Sequence, residues 1–199
     1  MSGMKFKTVL LFGAPGAGKG TQGKILSTVP NFYHCACGDV FRNLRIDNEL
    51  GRIFLDYSSR GELVPDDATI RLWKKSIEGS KAHGHFNPEK DTLVLDGIPR
   101  NVNQAQMLQD SLDVRAVFYL TCGDFARLVE RLQRRALREN RLDDANLSVI
   151  RARLETYDRE TKPVLDFYGP SLVHTIDSTQ TPVNVLRDLL RRIAALELA

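Results

Sequence analysis

The chain has 199 residues, of which 42% are hydrophobic and 27% charged, and its formal net charge at pH 7 is +3. This length and hydrophobic content suit one α/β domain spanning residues 1–199, with small insertions. No apolar run approaches the roughly 20 residues of a membrane span, and Lys5 and Lys7 interrupt any signal-peptide core. We therefore expect a cytoplasmic protein without a membrane partner.

Apolar runs alternate with helical patterns along the chain. Strands are predicted at 8–12, 32–36, 92–95, 114–120 and 171–176. Helices are predicted at 19–28, 38–47, 50–59, 66–79, 101–112, 125–138, 147–167 and 182–198. This alternation predicts a five-stranded parallel sheet with helices on both faces, since continuous apolar strands are typical of sheets covered twice. Two segments, 36–65 and the arginine-rich 134–144, interrupt the alternation and are predicted to be lobes that cover the ligand-binding edge of the sheet.

The first strand runs into a glycine-rich segment that predicts a phosphate-binding loop. Gly13, Gly18 and Lys19 fit the G-x-x-x-x-G-K spacing of a P-loop. Such a loop turns backbone N–H groups toward an anion at a helix N-terminus. One detail departs from the usual pattern, because Gly20 separates Lys19 from the hydroxyl residue Thr21.

A second informative run is Leu93–Arg100, in which a buried strand ends at Asp96. The carboxyl edge of a parallel sheet is where α/β folds bind ligands, and Asp96 there can hold the water shell of Mg²⁺ as a Walker-B carboxylate does. The alternative is that Asp96 caps the following helix. Arg100 follows a rigid Gly-x-Pro turn and can face a second phosphate.

Asp39 and Arg42 lie one helical turn apart at the start of a predicted helix. A helix N-terminus favours an anion, which makes this pair a weak candidate for ligand binding. Most pairs at this spacing are solvated surface pairs.

Arginines concentrate in one stretch of the chain. They are Arg127, Arg131, Arg134, Arg135, Arg138, Arg141, Arg151 and Arg153. A guanidinium grips phosphate as a planar fork, whereas the alternative for this stretch is a solvated basic helix face. Acidic residues such as Glu130, Asp143 and Asp144 interleave with the arginines, so we expect no nucleic-acid partner.

Several motifs occur together and in order: Gly-Ala-Pro-Gly-Ala-Gly-Lys-Gly-Thr-Gln, Gly-Asp-Val-Phe-Arg, Gly-Glu-Leu-Val-Pro, Leu-Asp-Gly-Ile-Pro-Arg-Asn-Val-Asn-Gln-Ala and Arg-Leu-Asp-Asp. With them the chain resembles the adenylate kinases of the nucleoside monophosphate kinase family over nearly its whole length. The Lys-Gly-Thr form of the P-loop is typical of that family, which accounts for Gly20. The resemblance implies reversible phosphoryl transfer from Mg·ATP to AMP, giving two ADP.

The resemblance also implies a set of site residues. ATP would contact Gly16, Ala17, Gly18, Lys19, Gly20, Thr21, Arg131, Arg135 and Gln180. AMP would contact Cys37, Arg42, Glu62, Leu63, Val64, Gly97, Ile98, Pro99, Arg100, Gln104, Arg141 and Arg153. The catalytic charges would be Lys19, Arg42, Arg100, Arg135, Arg141 and Arg153.

Metal binding is expected only as Mg²⁺ with ATP, held through water by Asp96. Arg135 and Arg141 are only six residues apart, which leaves no room for the larger lid of many bacterial relatives. This chain also lacks the cysteines that bind zinc in the zinc-containing form of that lid. Cys35, Cys37 and Cys122 lack C-x-x-C spacing, so neither structural zinc nor a disulfide framework is expected. A monomer is expected, because no apolar heptad repeat suggests a partner helix.

The sequence departs from the family pattern at four positions. Cys37 stands where Thr is usual, Ile98 replaces an aromatic residue, Ser178 replaces Gly, and Ala145 adds one residue between Arg141 and Arg153. Cys37 bears most directly on the acceptor base, because it removes a hydroxyl donor and acceptor.

Two alternative functions remain open. A UMP/CMP kinase of the same family would tend to carry Asn where Gln104 stands, and Gln can pair with an adenine edge. A P-loop nucleotide sensor would need no arginine cage around a second phosphate.

Overall fold

A parallel sheet forms the centre of the structure, a computed structural model that describes residues 5–44, 48–139 and 141–197. The five strands lie in the order β2-β3-β1-β4-β5, and each neighbouring pair is parallel. The strands are β1 (Phe6–Phe12), β2 (Phe32–Ala36), β3 (Thr92–Asp96), β4 (Leu112–Thr121) and β5 (Val173–Asp177). The predicted α/β fold is confirmed.

Helices cover both faces of this sheet. They are α1 (Lys19–Leu26), α2 (Cys37–Arg42), α3 (Glu49–Arg60), α4 (Asp66–Ala82), α5 (Val102–Leu108), α6 (Phe125–Glu139), α7 (Leu147–Thr156), α8 (Val164–Tyr168) and α9 (Pro182–Ala195). A short 3₁₀ helix spans Leu142–Asp144, and a π-helical segment spans Tyr157–Thr161.

Alternate residues of the central strands supply two separate hydrophobic clusters. Leu10 and Leu95 pack on one side with Trp73 of α4, whereas Val9 and Leu11 belong to the cluster on the other side. Successive strand side chains point to opposite faces, so a continuous apolar strand feeds both clusters. This double burial fixes β1 and β3 side by side, with Leu11 opposite Asp96 at the carboxyl edge.

The predicted helix at 101–112 was wrong at its C-terminal end. Helix α5 ends at Leu108, and β4 already begins at Leu112, where it pairs with Phe6 of β1. The strand is longer than expected because Leu112 is buried against the sheet. Within β4, Asp113 and Arg115 form an ion pair at 2.8 Å, and both side chains are solvent-exposed.

The single long helix predicted at 147–167 was also wrong. Helix α7 ends at Thr156, and the next turn bonds five residues back, as the Lys162 N–H does to the Tyr157 carbonyl at 2.9 Å. Pro163 has no N–H and disfavours continued helix before it. Helix α8 therefore begins as a separate element at Val164.

Part of the sequence prediction lies outside the described residues. Helix α2 ends at Arg42 and α9 at Ala195, so the predicted extensions to 47 and 198 reach positions that the structure does not describe. The proposed lobes, 36–65 and 134–144, also include such positions and remain predictions. Among the helices described, none is both long and apolar enough to cross a membrane.

Gly23 of α1 provides a test of how tightly this helix packs on the sheet. A Cβ at Gly23 would overlap the buried imidazole of His34 in β2, whereas a Cβ at Gly79 of α4 would meet nothing within 4 Å. We expect Gly23→Ala to lower the free energy of unfolding by about 1–3 kcal/mol through overpacking. Gly79→Ala should raise it by up to about 1 kcal/mol, because Ala restricts the unfolded chain. Urea denaturation of both variants measures the difference, and equal effects would contradict the packing described.

Candidate functional site

A cavity of about 640 Å³ opens at the carboxyl edge of the sheet. Its walls come from the loop after β1, the end of β3, helices α2, α3 and α6, and the segment before α9. The cavity therefore lies where parallel α/β sheets bind ligands.

Glycines shape the loop between β1 and α1. Gly13, Gly16 and Gly18 have φ values of 141°, 85° and 97°, which L-residues rarely adopt. A Cβ at Gly13 would also overlap the carbonyl oxygen of Leu120 in β4. The loop can thus pass close to the sheet and deliver its N–H groups to the start of α1 at Lys19, a geometry suited to an anion.

Lys19 places an ammonium inside this loop. Its Nζ donates to the carbonyl oxygens of Gly13 at 2.7 Å and Ala14 at 3.1 Å. Burial lowers the pKa of Lys19 to about 8, with Asp96 opposing the shift and the nearby Arg135 and other guanidiniums adding to it. The two carbonyl dipoles stabilise the ammonium less than a full negative charge would. An anionic ligand in the loop would therefore favour the charged form of Lys19.

Arg42 and Arg100 form a second positive cluster across the cavity. A Cβ at Gly38 would lie 2.9 Å from Arg42 Nη1 and 3.7 Å from Arg100 Nη2, and one at Gly97 would lie 3.5 Å from Arg100 Nη2. Two glycines therefore leave open the space beside both guanidiniums. Arg100 Nε donates to the Gly97 carbonyl at 2.8 Å. This bond leaves Nη2 beside the open space at Gly38 and Gly97.

Two adjacent carboxylates, those of Asp143 and Asp144, balance the positive charge of the arginines around the cavity. Asp144 is fully buried and accepts from Arg135 Nε at 2.6 Å and from Arg153 Nη1. Asp143 lies 2.8 Å from Arg153 Nη1 and 3.3 Å from Arg42 Nη2. Burial alone would raise the pKa of Asp143, but Arg153, Arg42 and Arg135 outweigh it and lower that pKa below its usual range.

Ion pairs also connect α2 with the segment after α6. Asp39 Oδ1 lies 3.1 Å from Arg42 Nη1 and 3.1 Å from Arg141 Nη2. Arg42 in turn reaches Asp143, so two cross-pairs join the two predicted lobes over the cavity. The candidate pair Asp39–Arg42 is thus more than a solvated surface contact.

Arg131 and Gln180 occupy the remaining end of the cavity. Arg131 Nη2 donates to the Ser178 carbonyl at 2.8 Å. Gln180 Nε2 donates to the Asp177 carbonyl at 3.1 Å and to Asp188 Oδ2 at 2.9 Å. Ser178 Oγ bonds the Thr121 carbonyl at 2.8 Å, so the Ser in place of Gly anchors this loop to β4.

The sequence also matches a family of known proteins. The adenylate kinase family model matches residues 11–172. The chain belongs to the adenylate kinase family.

Curated relatives agree with that family. The adenylate kinase of Flavobacterium johnsoniae is 38% identical over 169 residues, which cover 80% of this chain and 83% of the relative. That of Prochlorococcus marinus is 34% identical over 195 residues, covering 94% and 98%, and that of Flavobacterium psychrophilum is 34% identical over 166 residues, covering 80% and 83%. The chain is accordingly an enzyme of the nucleoside monophosphate kinase type.

The structure brings most of the sequence-predicted residues to the cavity wall. Those that line it on the P-loop side are Gly16, Ala17, Gly18, Lys19, Gly20, Thr21, Arg131, Arg135 and Gln180. Those that line it on the other side are Arg42, Glu62, Leu63, Val64, Gly97, Ile98, Pro99, Arg100, Arg141 and Arg153, with Asp96 between the two groups.

Cys37 and Gln104 do not line the cavity. Both are about 1–2% exposed, and burial raises the pKa of the Cys37 thiol to about 11. The Gln104 amide is already bonded: Oε1 accepts from the Arg100 N–H at 2.8 Å, and Nε2 donates to Asp66 Oδ1 at 2.7 Å. Sequence reasoning missed Asp66 as the partner that orients this amide.

Asp96 places a carboxylate at the edge of the cavity, beside the P-loop. Its carboxylate ends β3 at 8% exposure and faces Gly20, where a Cβ would lie 3.6 Å from Oδ2. The Thr21 hydroxyl lines the same cavity. Within residues 5–44, 48–139 and 141–197, no group of three or more His, Cys, Asp or Glu side chains could hold a metal unaided. A hard cation here would need oxygen ligands from a bound phosphate as well.

The residues most clearly missed by sequence reasoning are Asp143 and Asp144. Their alternation with arginines was used to argue against nucleic-acid binding, and it also signalled compensation of charge around a site. Sequence alone does not show that Asp144 is buried between two arginines, because that depends on how α6 and α7 pack.

Asp144 supports a stability test. We expect Asp144→Asn to lower the free energy of unfolding by about 3–5 kcal/mol, because it leaves Arg135 and Arg153 without their buried counter-charge. Glu130→Gln is the matched control, since Glu130 pairs with Arg134 at 2.6 Å on the surface and should cost less than about 1 kcal/mol. Urea denaturation distinguishes them, and a loss for Asp144→Asn as small as the control's would contradict the assignment.

Proposed function

We propose that this enzyme transfers a phosphoryl group reversibly from Mg·ATP to AMP, producing two ADP. One observation carries the proposal: a single cavity contains two separate anion-binding arrangements. The P-loop with Lys19 is one, and the Arg42–Arg100 cluster beside Gly38 and Gly97 is the other. A site for one nucleotide needs only the first.

The donor would occupy the P-loop side. Its phosphates would lie on the backbone of 16–21 with Lys19, and Arg135 would contact them from α6. Arg131 would stack on the adenine, an interaction that a planar guanidinium favours. The Gln180 backbone would lie at the edge of the same ring.

The acceptor would occupy the opposite side. The phosphate of AMP would lie between Arg42 and Arg100, where the two glycines leave space. The residues proposed to surround the rest of AMP are Glu62, Leu63, Val64, Gly97, Ile98 and Pro99. Arg141 and Arg153 would then contact the group being transferred from the lid side.

Magnesium would bind with ATP, through water on Asp96. Bound there it would supply positive charge to the donor phosphates. No structural zinc is proposed.

The protein's part in this chemistry is positioning and charge stabilisation. Phosphoryl transfer needs the attacking and leaving oxygens in line and positive charge on the equatorial oxygens. Lys19 and the arginines of both clusters provide that charge. The acceptor phosphate is already anionic near neutral pH, so no general base is required. Closure of the proposed lobes 36–65 and 134–144 would exclude water, which otherwise competes with AMP for the phosphoryl group.

Gln104 would read the acceptor base only if AMP reaches its amide. The amide uses one donor on Asp66 and one acceptor position toward the Arg100 N–H, so one N–H and one lone pair remain. That remaining pair matches the N1 acceptor and N6 donor of adenine. Because Gln104 is buried in this structure, UMP/CMP kinase activity is the second candidate to be tested.

The test is a coupled assay with ATP and each of AMP, UMP, CMP and GMP. We expect AMP to give the highest kcat/KM and Arg100→Ala to lower kcat with AMP by about 10²–10³-fold, since it removes a charge aimed at the reacting phosphates. Its thermal midpoint should stay near that of the unaltered enzyme, which separates chemistry from folding.

Two results would contradict the proposal. A preference for UMP or CMP would replace AMP as the acceptor, and near-normal turnover in Arg100→Ala would remove the second anion site from the mechanism. ATP hydrolysis that does not respond to any monophosphate would favour a nucleotide sensor.

The lowered pKa of Lys19 gives a pH test of donor binding. The lysine is charged below about pH 8 in the free protein, and a bound polyphosphate should raise its pKa by favouring the charged form. We therefore expect the Kd for ATP to weaken as pH rises from 7 to 9.5, with proton uptake on binding near pH 8.5. Calorimetry in two buffers of different ionisation enthalpy measures that uptake. A constant Kd without proton uptake would contradict the account of Lys19.

A further inference from the structure

Arg138 lies on the cavity face of α6 beyond the arginines already discussed. Arg131, Arg135 and Arg138 are spaced by four and three residues, which places them along one helix face, and all three line the cavity. Arg138 is about one helical turn further from the start of α6 than Arg135. None of the motifs that carry the resemblance to adenylate kinases includes this position.

Arg138 differs from its neighbours because the described residues give its guanidinium no polar partner. Arg131 donates to the Ser178 carbonyl, and Arg135 donates to Asp144. Across the part of the chain that the structure describes, Arg138 makes no hydrogen bond or ion pair. The adjacent carboxylate of Glu139, which also lines the cavity, is taken by Arg141 Nε at 2.6 Å.

The balance of charge around the cavity makes this difference informative. Four of its arginines already contact carboxylates; the arginines are Arg42, Arg135, Arg141 and Arg153, and the carboxylates are Asp39, Glu139, Asp143 and Asp144. Arg138 instead presents an exposed guanidinium that no carboxylate of the described residues contacts. A phosphate is the ligand that such a planar fork grips best.

We propose that Arg138 binds the polyphosphate of the donor nucleotide from the lid side. This inference rests on the proposed function and adds a donor-binding residue to it. The P-loop and Lys19 would hold the phosphates on the side of the sheet. Helix α6 extends along the cavity, with Arg131 at the end where the adenine is proposed to bind. Arg138 reaches the solvent side of the phosphate chain, where the loop offers no N–H groups.

Steady-state kinetics of Arg138→Ala test the proposal. We expect KM for ATP to rise about three- to tenfold. This loss lies between that expected for an exposed ion pair and that expected for a charge-assisted hydrogen bond. KM for AMP should change less than twofold. Arg138→Lys should recover part of the loss, because it retains the charge but not the fork.

Arg134→Ala is the matched control. Arg134 is on the same helix, is exposed, and pairs with Glu130 rather than lining the cavity. We expect its KM values to match those of the unaltered enzyme, so a loss caused by lowered net charge alone would appear in both variants. Equal losses in Arg134→Ala and Arg138→Ala would overturn the proposal.

Calorimetry with inorganic tripolyphosphate separates phosphate binding from binding of the base and from turnover. We expect Arg138→Ala to weaken tripolyphosphate binding by a factor similar to its effect on KM for ATP. Unchanged tripolyphosphate affinity would overturn the assignment to phosphate, and a rise in KM confined to AMP would overturn the assignment to the donor.

Phosphoryl transfer to AMP and phosphate binding by Arg138 can each be disproved without the other. If the enzyme binds tripolyphosphate through Arg138 but transfers nothing to AMP, the proposed function fails while the binding residue stands. If AMP is phosphorylated and Arg138→Ala behaves like Arg134→Ala, the proposed function stands and Arg138 has no part in it.

Discussion

The buried contact of Asp144 with Arg135 and Arg153 is the interaction on which the site depends. Two guanidiniums held close together repel each other, and leaving them without a counter-ion would cost about 3–5 kcal/mol, a large fraction of the stability of one domain. Asp144 solves both problems at once, because one fully buried carboxylate accepts from both side chains. The packing of α6 on α7 through Leu132 and Ile150 places it there.

The same constraint explains why acids accompany arginines throughout the cavity. Asp143 links Arg42 with Arg153, and Asp39 links Arg42 with Arg141. They hold the guanidiniums in place when the cavity contains no anion, which reduces the reordering that phosphate binding requires. Positive charge can therefore be concentrated at the carboxyl edge of the sheet without unfolding it.

Glycines determine where that charge can be used. Gly13 lets the loop pass beside the Leu120 carbonyl, and Gly38 and Gly97 keep open the space next to Arg42 and Arg100. Both arrangements open into one cavity, so phosphates bound at the two places would face each other.

Features set by local sequence could be predicted. The P-loop follows from spacing, and continuous apolar strands such as Thr92–Leu95 indicate a sheet covered on both faces. Local patterns also misled, since the helical pattern of 147–167 does not show the π-helical turn at Tyr157–Thr161 that precedes Pro163.

Contacts between distant segments could not be predicted. The burial of Asp144 depends on α6–α7 packing, and the orientation of Gln104 depends on Asp66, 38 residues away along the chain. Neither contact leaves a periodicity or spacing that the sequence alone displays.

If the proposed function is right, one cavity holds two nucleotides at the same time. Equilibrium binding of AMP, measured with and without a saturating non-hydrolysable ATP analogue, tests it most directly. We expect one AMP and one analogue bound per chain, with AMP binding retained when the analogue saturates the P-loop. Mutually exclusive binding of the two nucleotides would contradict it.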